Sequence, residues 1–134
     1  MLNSEKIGNE FYQNLGKLYY AIAMIDGTVR ASEIRRLRKY VRQHWLEVDG
    51  MEDEFGTDSA FQIEIVFDWL QEEEKEGSTY FSEFETFYKE HPEKFGTKTK
   101  NLIIETADSI ASSFAGKNKS EIFFLQQLKD LLAT

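Results

Sequence analysis

Apolar residues recur at three- and four-residue intervals along most of this chain, which is the period of a helix with one buried face. The first stripe is Ile7, Phe11, Leu15, Leu18, Ile22 and Ile25. Asn3 or Ser4 can cap its start, and Gly27 closes it. A second stripe, Ile34, Leu37, Val41 and Trp45, begins at Arg30 or Ala31. "EVDGMEDEFGTDS", Glu47 to Ser59, has acids and turn residues but no period, and reads as a surface loop. Asp58 or Ser59 can cap the element that follows.

"SAFQIEIVFDWLQEEEKEG" allows two periods. Phe61, Ile63, Ile65, Phe67 and Trp69 alternate with other positions, as in a strand. Ile63, Val66, Phe67 and Leu70 share a helical face instead, and good helix formers continue to Gly77. A lone strand would lack a pairing partner, so a helix of nearly twenty residues stopping at Gly77 is expected. Phe81, Phe84 and Tyr88 mark the next helix, with Ser82 and Glu85 suited to a capping box. Pro92 breaks the pattern at His91. Thr97 or Thr99 opens a helix striped by Ile103, Ala107, Ile110, Ala111 and Phe114 and closed by Gly116. Asn118 and Glu121 form a capping box for a last helix carrying Phe124, Leu125, Leu128, Leu131 and Leu132.

The two ends of the chain resemble each other. "IDGTVRASEIRRL" and "FAGKNKSEIFFL" each place a Gly turn before a Ser-Glu-Ile that opens a helix, the second turn being one residue shorter. The expected fold is all-α, with about six or seven helices in a compact globule built from two similar helical hairpins flanking a Phe-rich middle. The 134 residues suit one domain. The single Pro fits a helical chain, and the absence of Cys excludes disulfides and cysteine metal sites. The N-terminus lacks a basic start followed by an apolar run, and "LYYAIAMI" is too short to span a bilayer. The expectation is a cytoplasmic protein without a transmembrane segment.

The net charge of −8 argues against nucleic-acid binding, which needs a basic surface. The charge is uneven, however. Arg30 to Arg42 carry about +5, and Glu47 to Glu76 about −11. Two readings follow. Two helix faces attract each other, or Arg35, Arg38 and Arg42 form a docking surface for an anionic protein partner, a membrane protein or the membrane surface.

Asp26, Gly27, Val29 and Glu33 match the fifth, sixth, eighth and twelfth positions of an EF-hand loop. Its first and third positions then fall on Ile22 and Met24, which have no side-chain oxygen, so an EF-hand is excluded. The same residues suit a helix joint. Gly27 supplies a positive-φ turn, Asp26 bonds turn amides, and Glu33 complements the N-terminus of the next helix. Asp26 and Glu33 remain candidate ligands of a weakly held divalent cation. His44 and His91 form no pair with metal-ligand spacing, and neither a nucleophile elbow nor a phosphate-binding loop is present. Carboxylates are many, but no spacing singles out an acid/base pair.

A helix of small and apolar residues, then Asp-Gly-x-Val-x-x-x-Glu, then an apolar-periodic helix, resembles the TerB-like domain, the family of the tellurite-resistance protein TerB. The second Gly-x-x-x-Ser-Glu hairpin adds to the resemblance, which covers the two end thirds better than the middle. The resemblance implies a cytoplasmic all-α module linked to stress or metal-oxyanion resistance. It further implies a non-enzymatic protein-interaction or scaffold role, with Asp26 and Glu33 at the family's acidic motif positions, where divalent cations are thought to bind. Ala115 stands where the second copy would carry its aspartate, which departs from a symmetric pair of ion sites.

Overall fold

A computed structural model describes residues 2–45, 60–113 and 117–134, with side chains from Asn9 onward. Among these residues six α-helices follow one another: α1 (Leu2–Ala23), α2 (Ala31–Gln43), α3 (Gln62–Glu72), α4 (Ser78–Glu90), α5 (Thr97–Ala111) and α6 (Lys119–Leu132). A 3-10 turn, Pro92–Lys94, joins α4 to α5. No strand occurs among the described residues, so the helical period of Ile63, Phe67 and Leu70 prevails over the alternating one.

Helix α1 is the centre of the fold. Between Phe11 and Ala23 only Gln13 and Lys17 are not buried. The helix packs against α3, α4 and α5, and α2 in turn packs on α5 and α3. Gly16 sits where α1 and α3 approach most closely, because a Cβ there would come within 2.7 Å of the Ile63 carbonyl oxygen and 3.0 Å of Val66 Cβ. The Phe-rich middle packs on α1, whereas α2 leaves α1 to pack on α5 and α3, so α1 and α2 do not form the closed hairpin that the sequence repeat suggests. Phe95, from the turn before α5, stacks edge-on against Phe11, Phe84, Phe87 and Tyr88, with ring centroids 4.8–6.2 Å apart.

Several boundaries differ from the sequence expectation. Asn3 and Ser4 lie inside α1 rather than capping it. That helix ends at Ala23, so Gly27, at φ +86°, closes the following turn and not the helix itself. Helix α3 is eleven residues long, and it stops well before Gly77. Glu74 adopts φ +53° there, while Lys75 N–H donates to the Leu70 carbonyl and Glu74 N–H to that of Gln71. This is a Schellman ending built without Gly, and the Tyr20 hydroxyl secures it by donating to the Lys75 carbonyl. Gly77 instead precedes α4, so Ser82 and Glu85 fall inside that helix and form no capping box. The expected loop from Glu47 to Ser59, the caps at Asp58 and Ser59, and the helix end at Phe114 and Gly116 lie outside the described residues.

The charge asymmetry has a structural outlet. Arg38 reaches Glu64 at 2.8 Å and both carboxylate oxygens of Asp68 at 3.0 and 3.1 Å. Arg42 adds a second contact to Glu64 at 3.2 Å, so this buried carboxylate is held by two guanidinium groups. The basic α2 and acidic α3 are therefore bound to each other.

Candidate functional site: a carboxylate cluster between the two hairpins

Two helices begin in the same place, and both begin with a glutamate in their first turn. On α2, Glu33 Oε1 accepts from the Arg30 N–H at 2.7 Å, while the Glu33 N–H donates to the Arg30 carbonyl. On α6 the box is reciprocal: Asn118 N–H donates to Glu121 Oε1, and Glu121 N–H donates to Asn118 Oδ1, both at 2.9 Å. The capping box expected at Asn118 and Glu121 is present. Both glutamates are buried, at 2% and 4% exposure. Asp26, on the turn after α1, joins them from the solvent side.

One carboxylate oxygen from each of Asp26, Glu33 and Glu121 lies within 4.8 Å of the others. The repeat therefore does not yield two separate sites. Its two Ser-Glu-Ile glutamates meet at one point, and the aspartate lost from the second copy is not needed there. Polar contacts between the hairpins surround the joint, with Arg36 donating to the Ser109 hydroxyl at 2.9 Å and Ser113 near Ser32 at 3.5 Å.

The electrostatics are under-compensated. Three carboxylates bring a formal −3. Two helix N-termini offer roughly half a positive charge each, and the Arg30 guanidinium reaches Asp26 at 3.3 Å. Burial, with Asp26 and Glu121 close by, pushes the Glu33 carboxyl up to about 7, against the pull of the Arg30 N–H and guanidinium. A proton on Glu33 is one way to relieve the deficit, and a cation is another.

The donor set suits a hard cation, since it consists of oxygens with no nitrogen or sulfur. Ligand oxygens on opposite sides of a calcium ion stand about 4.6–5.2 Å apart, and those across magnesium about 4.0–4.2 Å, from the usual bond lengths. Separations within 4.8 Å allow all three oxygens to reach one ion of either kind. Each glutamate commits one oxygen to a helix cap, which fixes its carboxylate plane. Water would complete the coordination shell from the Asp26 side.

The other sequence-derived candidates lie elsewhere. Arg38 and Arg42 are engaged with Glu64 and Asp68, while Arg35 is exposed beside Lys39 on the outer face of α2. Asp26 bonds Arg30 rather than turn amides. His44 ends α2 and stacks on Tyr40, and His91 packs on Phe87. An open groove of about 350 Å³ runs between α1 and α4, crossed by a Lys17–Glu83 ion pair at 2.9 Å, and includes none of the three clustered carboxylates. Glu121 is the site residue that the sequence pattern placed only as a cap. The signal for more was the repeat itself, because equivalent glutamates of two facing hairpins approach a common axis.

Comparison with protein-family models, with curated proteins and with solved structures yields no match to this chain. What the fold and site define is a class: an all-α protein in which the turn after α1 and the first turns of α2 and α6 meet at a shared carboxylate cluster.

Proposed function

We propose that this protein is a non-enzymatic, TerB-like helical module that binds a divalent cation at Asp26, Glu33 and Glu121. The observation that carries the reading is the meeting of two buried, cap-oriented glutamates and a solvent-facing aspartate within 4.8 Å. An ion there would tie α2 to α6 and so clamp one hairpin to the other. Catalysis is disfavoured by access, since a reacting group must come within hydrogen-bond reach of its acid or base and Glu33 and Glu121 are buried among helices. The module works through binding, in the stress- or tellurite-related setting that the sequence resemblance implies. Its protein-partner face on α2 reduces to Arg35 and Lys39, because Arg38 and Arg42 are already paired.

Thermal melts with millimolar calcium, magnesium or manganese, each against a chelator, test the ion site. A ligand at a hundred times its dissociation constant adds about 2.7 kcal/mol of stability. The expected result is a clear rise in Tm with calcium that disappears in Asp26→Asn combined with Glu121→Gln. An unchanged Tm with every ion, or an equal rise in the double variant, refutes the site.

A further inference from the structure

The described surface carries four large, exposed apolar side chains, and they fall into two pairs. Ile65 and Trp69 lie one turn apart on α3, at 54% and 53% exposure. Ile122 and Phe123 lie on the first turns of α6, at 54% and 66%. The four have no part in the carboxylate cluster and none in the core. Their settings differ in charge. Glu72 and Glu73 follow Trp69 at i+3 and i+4, both exposed, with Glu74 and Glu76 just beyond. Lys119 precedes Ile122 and Phe123 at i−3 and i−4, and Lys129 lies two turns on from Ile122, against a single exposed acid on the helix, Asp130, held by Gln126.

Trp69 already attracts a cation: the Lys75 ammonium stands 5.7 Å from the ring centroid. An incoming lysine beside an aromatic knob would find the row of carboxylates that follows Trp69. The two pairs cannot satisfy each other within one chain, because α3 packs chiefly on α1 and α2 while α6 packs on α5. We infer that a second copy of this chain docks its Ile122–Phe123 knob, with Lys119, on the Ile65–Trp69 face and its Glu72 and Glu73. The contact is head to tail. Each protomer keeps one free knob and one free face, so association continues into rings or short filaments rather than stopping at a two-fold dimer. Two side chains on each partner make a small interface, of the weak class below about 1,200 Å².

Sedimentation velocity from about 10 μM to 1 mM, on the full chain in chelator, tests this at low and high salt. The expected result for the parent protein is a sedimentation coefficient that climbs with concentration beyond that of a dimer and falls back in high salt. Two variants dissect it. Ile65→Ser with Trp69→Ser removes the face, and Ile122→Ser with Phe123→Ser removes the knob. The positions are exposed, so circular dichroism of both should match the parent. Each variant alone is expected to stay monomeric. Mixed in equal amounts, they should form a one-to-one complex that stops at two, because one supplies the knob and the other the face. Parent protein that remains monomeric to 1 mM overturns the inference. So does a variant that still self-associates, or a mixture that stays monomeric.

Discussion

Replacing Glu33 by Gln isolates the electrostatic strain in the cluster. Gln keeps the side-chain oxygen that accepts from the Arg30 N–H and removes only the charge. The Glu33 carboxyl ionises near 7 in the fold, against an ordinary 4.5. A raised carboxyl means that the folded protein holds a proton the unfolded chain has released. Stability therefore falls as pH rises from 4.5 to 7 and stays low above that window. At about 1.4 kcal/mol per pH unit, Glu33 costs the folded state roughly 3 kcal/mol at pH 8, as an upper figure. Glu33→Gln should thus stabilise the metal-free protein at pH 8 by up to about 3 kcal/mol, and change little at pH 4. Urea unfolding in chelator, at half-unit steps from pH 4 to 8, reads this directly, provided the m-value stays constant. The parent curve should slope downward across the window and the variant curve should be flatter. Equal slopes, or a variant less stable at pH 8, would refute the account of Glu33. Calcium should invert the ranking, stabilising the parent and not the variant.

Four further outcomes follow from the packing. Gly16→Ala should cost about 1–3 kcal/mol, because its methyl meets a backbone oxygen that cannot rotate away, and chemical denaturation measures it. Glu64→Ala should cost about 1–2 kcal/mol, less than the 3–5 of a fully buried pair, since Arg38 and Arg42 both reach solvent and Arg38 keeps Asp68. A Glu64→Ala protein as stable as the parent would mean that the α2–α3 ion pairs contribute nothing. Tyr19→Phe should stay within about 1 kcal/mol of the parent, because the buried Tyr19 hydroxyl has at best a poorly aligned contact with the Thr106 hydroxyl. Trp45→Phe should destabilise by about 1–3 kcal/mol, since it leaves a gap beside Phe11 and Tyr12 and frees the Thr106 hydroxyl from the indole N–H at 3.1 Å; a loss below 0.5 kcal/mol in thermal melts would contradict that packing.

Legibility from the sequence followed the range of each interaction. Helix positions were readable because burial imposes a 3.6-residue period on Leu37, Val41, Ile103, Ala107, Leu125 and Leu128, all of which are in the core. Boundaries set by local chemistry were readable too, as at Ala31, Pro92 and the Asn118–Glu121 box. The end of α3 was not. Glu74 takes a left-handed conformation there that its residue type does not announce, and a hydroxyl from α1 secures that end. The cluster was half legible. Asp26 and Glu33 stand out in one short stretch, but Glu121 joins them only through the packing of α2 against α5. No local pattern states which helix ends meet. The basic run on α2 and the acidic run after it were legible as two faces that attract each other, and Arg38 and Arg42 do pair with Glu64 and Asp68 on α3.

The central position of α1 has a consequence during synthesis. From Phe11 to Ala23 this helix is buried on nearly every side, and its partners extend to Ala111 on α5. At typical elongation rates of about 5–20 residues per second, roughly 5 to 20 seconds separate the emergence of Ala23 from that of Ala111. Throughout that interval a helix rich in Tyr, Leu and Ile has nothing complete to cover it. The nascent chain thus presents α1 well before the last of its cover, which makes α1 a segment that a ribosome-associated chaperone would meet.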